Sequence, residues 1–191
     1  MIEELTRLFA KLPSAGRRSA RRFVLHLLQN KDDLMIPLAE KLLEIAKNIK
    51  TCSVCGNYDT VNPCEICGDS KRNKSVICVV ENIGDLWAIE RSSVYKGVYH
   101  ILGGNLSVLE GNSPEDINIP KLIERAGDAE EIILATNATV EGQTTAHYIT
   151  EQLADCDVKI TRLAQGIPIG AELDYIDDGT LGAAFKTRRN V

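Results

Sequence analysis

Four cysteines in two close pairs constrain this chain more than any other feature of its sequence. Cys52 and Cys55 form one Cys-x-x-Cys pair, and Cys64 and Cys67 form a second pair after an eight-residue spacer. This arrangement lets two tight turns clasp one tetrahedral ion, and four thiolates are a typical structural zinc set. Four protein ligands leave no position for a substrate, so the sequence predicts one structural Zn²⁺ per chain.

Two other interpretations of the cysteines remain open. Disulfides would need an oxidising compartment, whereas the first residues of the chain lack the apolar segment of a signal peptide. Chance free thiols do not explain the paired spacing. The remaining cysteines, Cys78 and Cys156, are expected to pack as small apolar side chains. No apolar stretch is long enough for a membrane span, and we expect a cytoplasmic protein.

The pattern of apolar residues changes three times along the chain, which predicts a multi-module α+β protein. Apolar residues at three- and four-residue intervals predict three short helices in residues 1–50. Residues 51–75 are too poor in apolar side chains to fold without the metal. Residues 76–165 alternate short buried-strand patterns with helices, which indicates an α/β domain around a parallel sheet. Residues 166–191 are predicted to form a C-terminal helical segment.

Charge is distributed unevenly along the chain. The formal net charge of −5 argues against a general nucleic-acid binder, yet residues 1–50 hold ten basic and six acidic side chains. Residues 76–191 hold nine basic and 18 acidic ones. A polyanion is therefore expected to approach the N-terminal part, and a basic partner the acidic remainder.

The basic surplus centres on Arg17, Arg18, Arg21 and Arg22, which follow the turn at residues 13–16. A helix, a tight turn and an arginine-rich helix form a helix-hairpin-helix pattern, which aims free N–H groups and the helix dipole at a phosphate. The alternative is a solvated charged face. One such patch would bind DNA weakly, so useful affinity predicts several copies on one DNA molecule.

Several separated motifs together resemble the RecR family of bacterial recombination mediators from end to end. Residues 135–142 look like the second motif of Toprim domains, the metal-binding fold of topoisomerases and primases. The matching pieces are Leu12-Pro13, Arg18-Ser19-Ala20, the four cysteines, Tyr99-His100-Ile101-Leu102-Gly103-Gly104, Ala135-Thr136-Asn137, Glu141-Gly142, Thr144-Thr145-Ala146, Gly166-Ile167-Pro168-Ile169-Gly170 and Thr180-Leu181.

The resemblance implies a DNA-binding, non-catalytic protein of recombinational repair that acts with RecO, and in many bacteria RecF. Together they load RecA at gapped, single-stranded DNA on the nucleoid. It also implies a tetrameric ring wide enough for duplex DNA, assembled partly through residues 1–50 and 166–191. Positions matching Arg18 and Arg22 contact DNA in the family. Positions matching Glu81, Asp85 and Glu141 hold partner proteins.

The hairpin departs from the family pattern of Gly, apolar, Gly, Pro. This chain has Ser14, Ala15, Gly16 and Arg17 at those positions. A Cβ at Ser14 puts close backbone approach to a phosphate in doubt, and the added Arg17 is expected to compensate electrostatically.

A catalytic Toprim site joins a glutamate to an Asp-x-Asp pair, because Mg²⁺ requires anionic oxygens. Here Glu81 is present, but the pair is replaced by Asn137 and Thr139. We therefore expect no enzyme activity, and we expect His26, His100 and His147 to be packed or surface residues. Two alternatives remain: a metal-dependent Toprim nuclease or primase, and a zinc-stapled adapter that does not bind DNA.

Overall fold

The computed structural model describes residues 1–107 and 112–188, so the last three residues of the predicted C-terminal segment lie outside the described residues. The chain divides into two compact units, Met1–Ile49 and Lys50–Val191. Residues 51–75, the predicted zinc-binding segment that we call the knuckle, belong to the same unit as the sheet. The four-part division of the sequence itself stays a prediction.

The first unit is helical, as the apolar periodicity predicts. Its elements are α1 (Ile2–Phe9), α2 (Arg17–Gln29), a π-helical turn (Lys31–Met35) and α3 (Ile36–Asn48). The buried apolar residues of this unit are Ala15 in the turn and Ala20, Val24 and Leu27 on α2. The rings of Phe9 and Phe23 pack at a tilt, with centroids 6.2 Å apart. Helices α1 and α3 bury no residue in the single chain.

The second unit begins with the cysteine knuckle and continues into a four-stranded α/β domain. Its elements are β1 (Lys50–Thr51), β2 (Tyr58–Asp59), α4 (Glu65–Gly68), β3 (Asn73–Val80), α5 (Ile83–Ser92), β4 (Gly97–Ile101), α6 (Ile119–Ala126), β5 (Glu131–Leu134), α7 (Val140–Gln152), β6 (Lys159–Arg162), a 3₁₀ turn (Leu173–Tyr175) and α8 (Asp178–Lys186).

The sheet is entirely parallel and has the strand order β4-β3-β5-β6. This confirms the predicted fold class. Helices cover both faces of such a sheet, so its central strands are continuous apolar runs rather than alternating patterns. Val79, Ile132 and Leu134 form the core on one face with Leu122 and Ile149, and all five are at most 2% exposed.

The knuckle packs against β4, the edge strand of the sheet. The backbone N–H of Ile101 donates to the carbonyl oxygen of Cys55 at 2.8 Å. On α6, the ammonium of Lys121 donates to the carbonyl oxygen of Ser53. These contacts cover an edge that would otherwise be open to pairing with another strand, and every residue of β4 is buried. The knuckle is thus anchored to the sheet at its own metal-binding turns.

None of the described helices is both long enough and apolar enough to span a bilayer.

Candidate functional sites

The four predicted zinc ligands converge on one point. All four Sγ atoms lie within 4.8 Å of one another, and those of Cys55 and Cys64 are 3.6 Å apart. Tetrahedral Zn–S bonds of about 2.3 Å place sulfur atoms about 3.8 Å from each other. The four side chains are at most 8% exposed. The donor set, its close spacing and its burial therefore fit a zinc ion.

Backbone amides around the cluster point at sulfur. The N–H of Asn57 donates to Cys55 Sγ at 3.4 Å, and the N–H of Cys64 donates to Cys52 Sγ at 3.3 Å. Between Cys55 and Asn57, Gly56 adopts φ +84°, in the left-handed region that favours glycine. Such N–H···S contacts stabilise the thiolate form that binds metal.

The cluster cannot ionise fully without a cation. Hydrogen bonding from the Cys67 thiol lowers the pKa of Cys55 to about 5, while burial raises the pKa of Cys64 to about 11. The hydrogen bond with Cys55, followed by burial, raises the pKa of Cys67 strongly. The first thiolate thus makes the others harder to form, and a divalent cation at the centre removes that penalty.

The turn between α1 and α2 keeps its tight geometry despite its departures from the family pattern. Ser14 adopts φ +62°, the left-handed conformation for which glycine is normally used. Gly16 is the N-cap of α2, and no side chain caps this helix. A Cβ at Gly16 would meet no heavy atom within 4 Å. The chain's own packing therefore does not require glycine there, and the N-terminus of α2 is open to a ligand.

The four predicted DNA-binding arginines are all exposed but line two different grooves. Arg17, Arg18 and Arg21 line a groove with Glu3 of α1. Arg22 lies in a second groove with Ser19, Phe23, Leu25, His26 and Gln29. Within the described part of the chain, none of the four guanidinium groups has a carboxylate oxygen within 4.0 Å. The first turn of α2 contains no acidic residue. Four arginines without an ion-pair partner among the described residues thus lie in the first two turns of a helix that has no side-chain cap.

Glu81 lies beneath the carboxyl ends of β3 and β5 and is only 3% exposed. Its Oε1 accepts from the backbone N–H of Asn137 at 2.8 Å. Its Oε2 accepts from the side-chain amides of Asn137 at 2.7 Å and Asn105 at 3.3 Å. A Cβ at Gly142 would collide with Glu81 Oε1 and with the carbonyl of Asn137. In a catalytic Toprim site the corresponding carboxylate binds the metal ion. Here the Glu81 carboxylate is instead hydrogen-bonded to the backbone and side-chain amides of Asn137.

The other two predicted partner residues are more accessible. Asp85 forms a capping box with Asn82 at the start of α5, with 3.1 Å bonds in both directions. Burial, together with the charge of Glu81, raises the pKa of Asp85. Glu141 is half-exposed in the first turn of α7, a helix capped by Thr139. Asp85 and Glu141 thus keep part of their surface open to solvent, whereas Glu81 is buried.

The structure adds residues that the sequence analysis did not select. Asn105 donates to Glu81 from a loop, and no motif marked it. From α6, Lys121 donates to Ser53 of the knuckle, and Arg125 donates to Tyr99 of β4 while lining a cleft with Val54 and Cys67. In the sequence these two residues are an i, i+4 pair of cations that looks like an ordinary solvated helix face. His100 is packed, as predicted. Its ring lies between the carbonyl of Asn118 and the guanidinium of Arg125.

Comparison with known proteins covers the chain almost completely. Family models match the RecR helix-hairpin-helix at residues 2–46, the RecR four-cysteine zinc finger domain at 49–69, the Toprim domain at 75–164 and the RecR C-terminal region at 166–189. The zinc-finger match and the converging thiols establish a structural zinc site in this chain.

Two relatives illustrate the similarity. Recombination protein RecR of Maricaulis maris is 57% identical over 192 residues, covering 100% of this chain and 96% of the relative. Recombination protein RecR of Sinorhizobium medicae is 55% identical over 189 residues, covering 98% of this chain and 94% of the relative. The chain therefore belongs to the RecR family of recombination proteins.

Proposed function

We propose that this protein is a DNA-binding recombination mediator that carries out no chemistry itself. It acts with RecO, and with RecF where that protein is used, to load RecA at single-strand gaps during DNA repair in the bacterial cytoplasm. Its contacts are to duplex and gapped DNA. The observation that carries the proposal is the set of four exposed, unpaired arginines around the uncapped N-terminus of α2.

The arginine surface suits phosphate contact better than a solvated role. Solvated arginines on a helix are usually accompanied by acidic residues three or four positions away, and α2 contains none. The free first-turn N–H groups, the helix dipole and the guanidinium groups of Arg17, Arg18 and Arg21 all favour an anion in one groove, and Arg22 adds a cation in the second groove. Because such contacts carry no base readout, we expect binding that depends little on sequence.

We propose that the working form is a ring of four chains. The helical unit exposes many large apolar side chains, more than a stable isolated unit needs. Those on the helices and turns of residues 1–49 are Ile2, Leu8, Leu12, Phe23, Leu25, Leu28, Leu34, Ile36, Leu38, Leu42, Leu43, Ile45 and Ile49. The C-terminal segment likewise exposes Ile169, Leu173, Tyr175 and Phe185. Second copies covering these two regions would let several arginine patches engage one DNA molecule.

The contacts inside the Toprim pocket disfavour catalysis. The Glu81 carboxylate accepts three hydrogen bonds from neutral N–H donors, and Asn137 and Thr139 are each engaged in local bonds of their own. Mg²⁺ favours sites with several free anionic oxygens, which this arrangement does not offer. We propose instead that Asp85 and Glu141 dock a basic partner surface while Glu81 fixes the loops that present them.

DNA binding by an Arg18→Ala, Arg22→Ala double variant tests the proposal. We expect affinity for a gapped duplex to fall at least about tenfold at low salt, because phosphate contacts dominate such binding. The matched control removes two exposed cations from the second unit, Arg91→Ala with Lys96→Ala, and should retain affinity. Glu3→Gln, which removes an anion from the arginine groove, should strengthen binding. Unchanged affinity in the folded double variant would refute the assignment.

The nuclease or primase alternative is tested in parallel. The unsubstituted protein is incubated with DNA or nucleotides and with Mg²⁺ or Mn²⁺, beside Glu81→Gln. We expect no product from either protein. Turnover that depends on the metal and is abolished by Glu81→Gln would replace the mediator proposal with an enzymatic one.

A further inference from the structure

Helix α6 turns two cations toward the zinc knuckle. Lys121 and Arg125 are one helical turn apart, and the ammonium of Lys121 donates to the carbonyl oxygen of Ser53, between Cys52 and Cys55. Arg125 lines one small cleft together with Cys67 and Val54. Lys121 thus joins α6 to the first metal-binding turn, and Arg125 lies beside the second.

The guanidinium of Arg125 is held in place by the sheet. Its Nη1 donates to the carbonyl oxygen of Tyr99 at 2.8 Å and to Nδ1 of His100 at 3.0 Å. The other ring nitrogen of His100 donates to the carbonyl oxygen of Asn118 at 2.8 Å. This pattern requires a neutral imidazole with its proton on Nε2. Burial lowers the pKa of His100 to about 4, which keeps the ring neutral at neutral pH.

Arg125 has no conventional counter-ion. Among residues 1–107 and 112–188, no carboxylate lies within 4.0 Å of its guanidinium. Asp128 lines the same cleft but is exposed. A partly buried cation without a compensating charge is costly to the fold. Burial lowers the pKa of Arg125, whereas the nearby thiolates of Cys67, Cys55 and Cys52 raise it.

The compensating charge is available at the metal site. Four thiolates and one divalent ion leave a net charge of about −2 in a buried cluster, from the ligand and ion charges alone. We propose that Arg125 is the counter-charge of the zinc–tetrathiolate group, with His100 as the positioning residue that fixes its guanidinium. Zinc affinity is then set partly by the Toprim domain, not by the knuckle alone.

The test is to separate charge from hydrogen bonding at position 125 in the full-length protein. Arg125→Lys keeps the charge but loses the planar guanidinium with its several N–H donors. Arg125→Gln keeps a hydrogen-bond donor and loses the charge. Zinc affinity is measured by competition with a chromogenic chelator. We expect Arg125→Gln to weaken zinc binding about tenfold or more and Arg125→Lys at most about threefold. Arg91→Gln, an exposed arginine on α5, is the control and should change nothing.

A purely structural role would produce a different ranking. Equal loss in both Arg125 variants, or a greater loss in the lysine variant, would overturn the proposal. If Arg125→Gln does not fold, the unsubstituted protein supplies the measurement through its guanidinium ¹⁵N resonances. Removing zinc should then shift the signals of Arg125 and leave those of Arg91 unchanged. Unmoved Arg125 signals would equally overturn it.

Discussion

Single residues show how far local rules extend in this chain. The sequence raises doubt about the hairpin because Ser14 replaces a glycine, yet Ser14 adopts the left-handed conformation at φ +62°. Local strain of about 1–2 kcal/mol is tolerated there because α1 and α2 pack on either side of the turn. The consequence of the substitution could not be predicted, because it depends on how the two flanking helices pack against each other, which the residue types in the turn do not record.

At Asn137, the residue type is informative in the sequence but its contacts are not. The sequence identifies it as a missing metal ligand, which is correct for its residue type. Its role as a donor to Glu81 through both backbone and side chain follows only from the strand order, which brings the ends of β3 and β5 together. A change from anion to amide turns a repulsive pair into a hydrogen-bonded one.

His100 should make stability depend on pH. Burial lowers its pKa from 6.5 to about 4, and the charges of Arg125 and Lys121 add to the effect. A pKa depressed by folding means that this contribution is complete above pH 6.5 and is lost as the pH falls toward 4. Between about pH 7 and about pH 4.5 we expect a loss of roughly 2–3 kcal/mol from this group.

Denaturant unfolding of the unsubstituted protein and of His100→Gln at both pH values checks this prediction. Zinc content is measured for both proteins at each pH, so that a difference in metal loss is separated from the titration of His100. The free-energy advantage of histidine over glutamine should shrink at about pH 4.5. An advantage of the same size at the two pH values would show that His100 does not titrate as described.

At the scale of elements, the predictable parts are those with a strong local pattern. The helices and the four parallel strands are predicted by apolar periodicity and short apolar runs, because helices on both faces of a sheet bury the apolar run of a central strand, as at residues 77–80 of β3. The spacing of the four cysteines is likewise a local pattern, and it predicts the knuckle. The contacts of Ile101 and Lys121 with the knuckle could not be predicted, since they depend on tertiary contacts that no local pattern records.

Removing zinc should unfold the knuckle while leaving the sheet folded. Among the residues that the structure describes, the cysteines of the knuckle have only Val54 and Ile66 as partly buried apolar neighbours, so the knuckle has little apolar core without the metal. After chelation, hydrogen exchange should accelerate at the amides of Cys52 and Gly56, and also at Ile101, whose N–H is bonded to Cys55. Amides of β5 serve as the internal control and should stay protected. Loss of protection throughout the unit would mean that the metal holds the whole domain together.

At the scale of the whole molecule, the helical unit exposes an apolar surface that we assign to other copies of the chain. Leu42 and Leu43 on α3 are 59% and 61% exposed. Changing both to lysine should leave the secondary structure intact, since neither side chain is buried in the single chain, and should reduce the oligomeric mass measured by light scattering. Lysine substitution of exposed Val94 in the second unit is the control. An unchanged mass in the α3 variant would place the interface elsewhere.

The family was predictable from the sequence because each of its motifs is a short run of neighbouring residues. The DNA role and the ring of four chains, which the resemblance implies, stay predictions, and the structure adds the exposed apolar surfaces that other copies could cover. The mediator proposal combines the DNA role with assembly. An acidic chain can bind DNA usefully if its few cations are gathered in one place and then multiplied by assembly.

The salt dependence of DNA binding tests this central claim most directly. Each phosphate contact contributes about −0.9 to the slope of log K against log salt concentration on duplex DNA. Per chain engaged, the Arg18→Ala, Arg22→Ala variant should therefore have a slope shallower by about 1.8 than the unsubstituted protein. Equal slopes for two folded proteins of the same oligomeric state would contradict the assignment of DNA binding to the arginine hairpin.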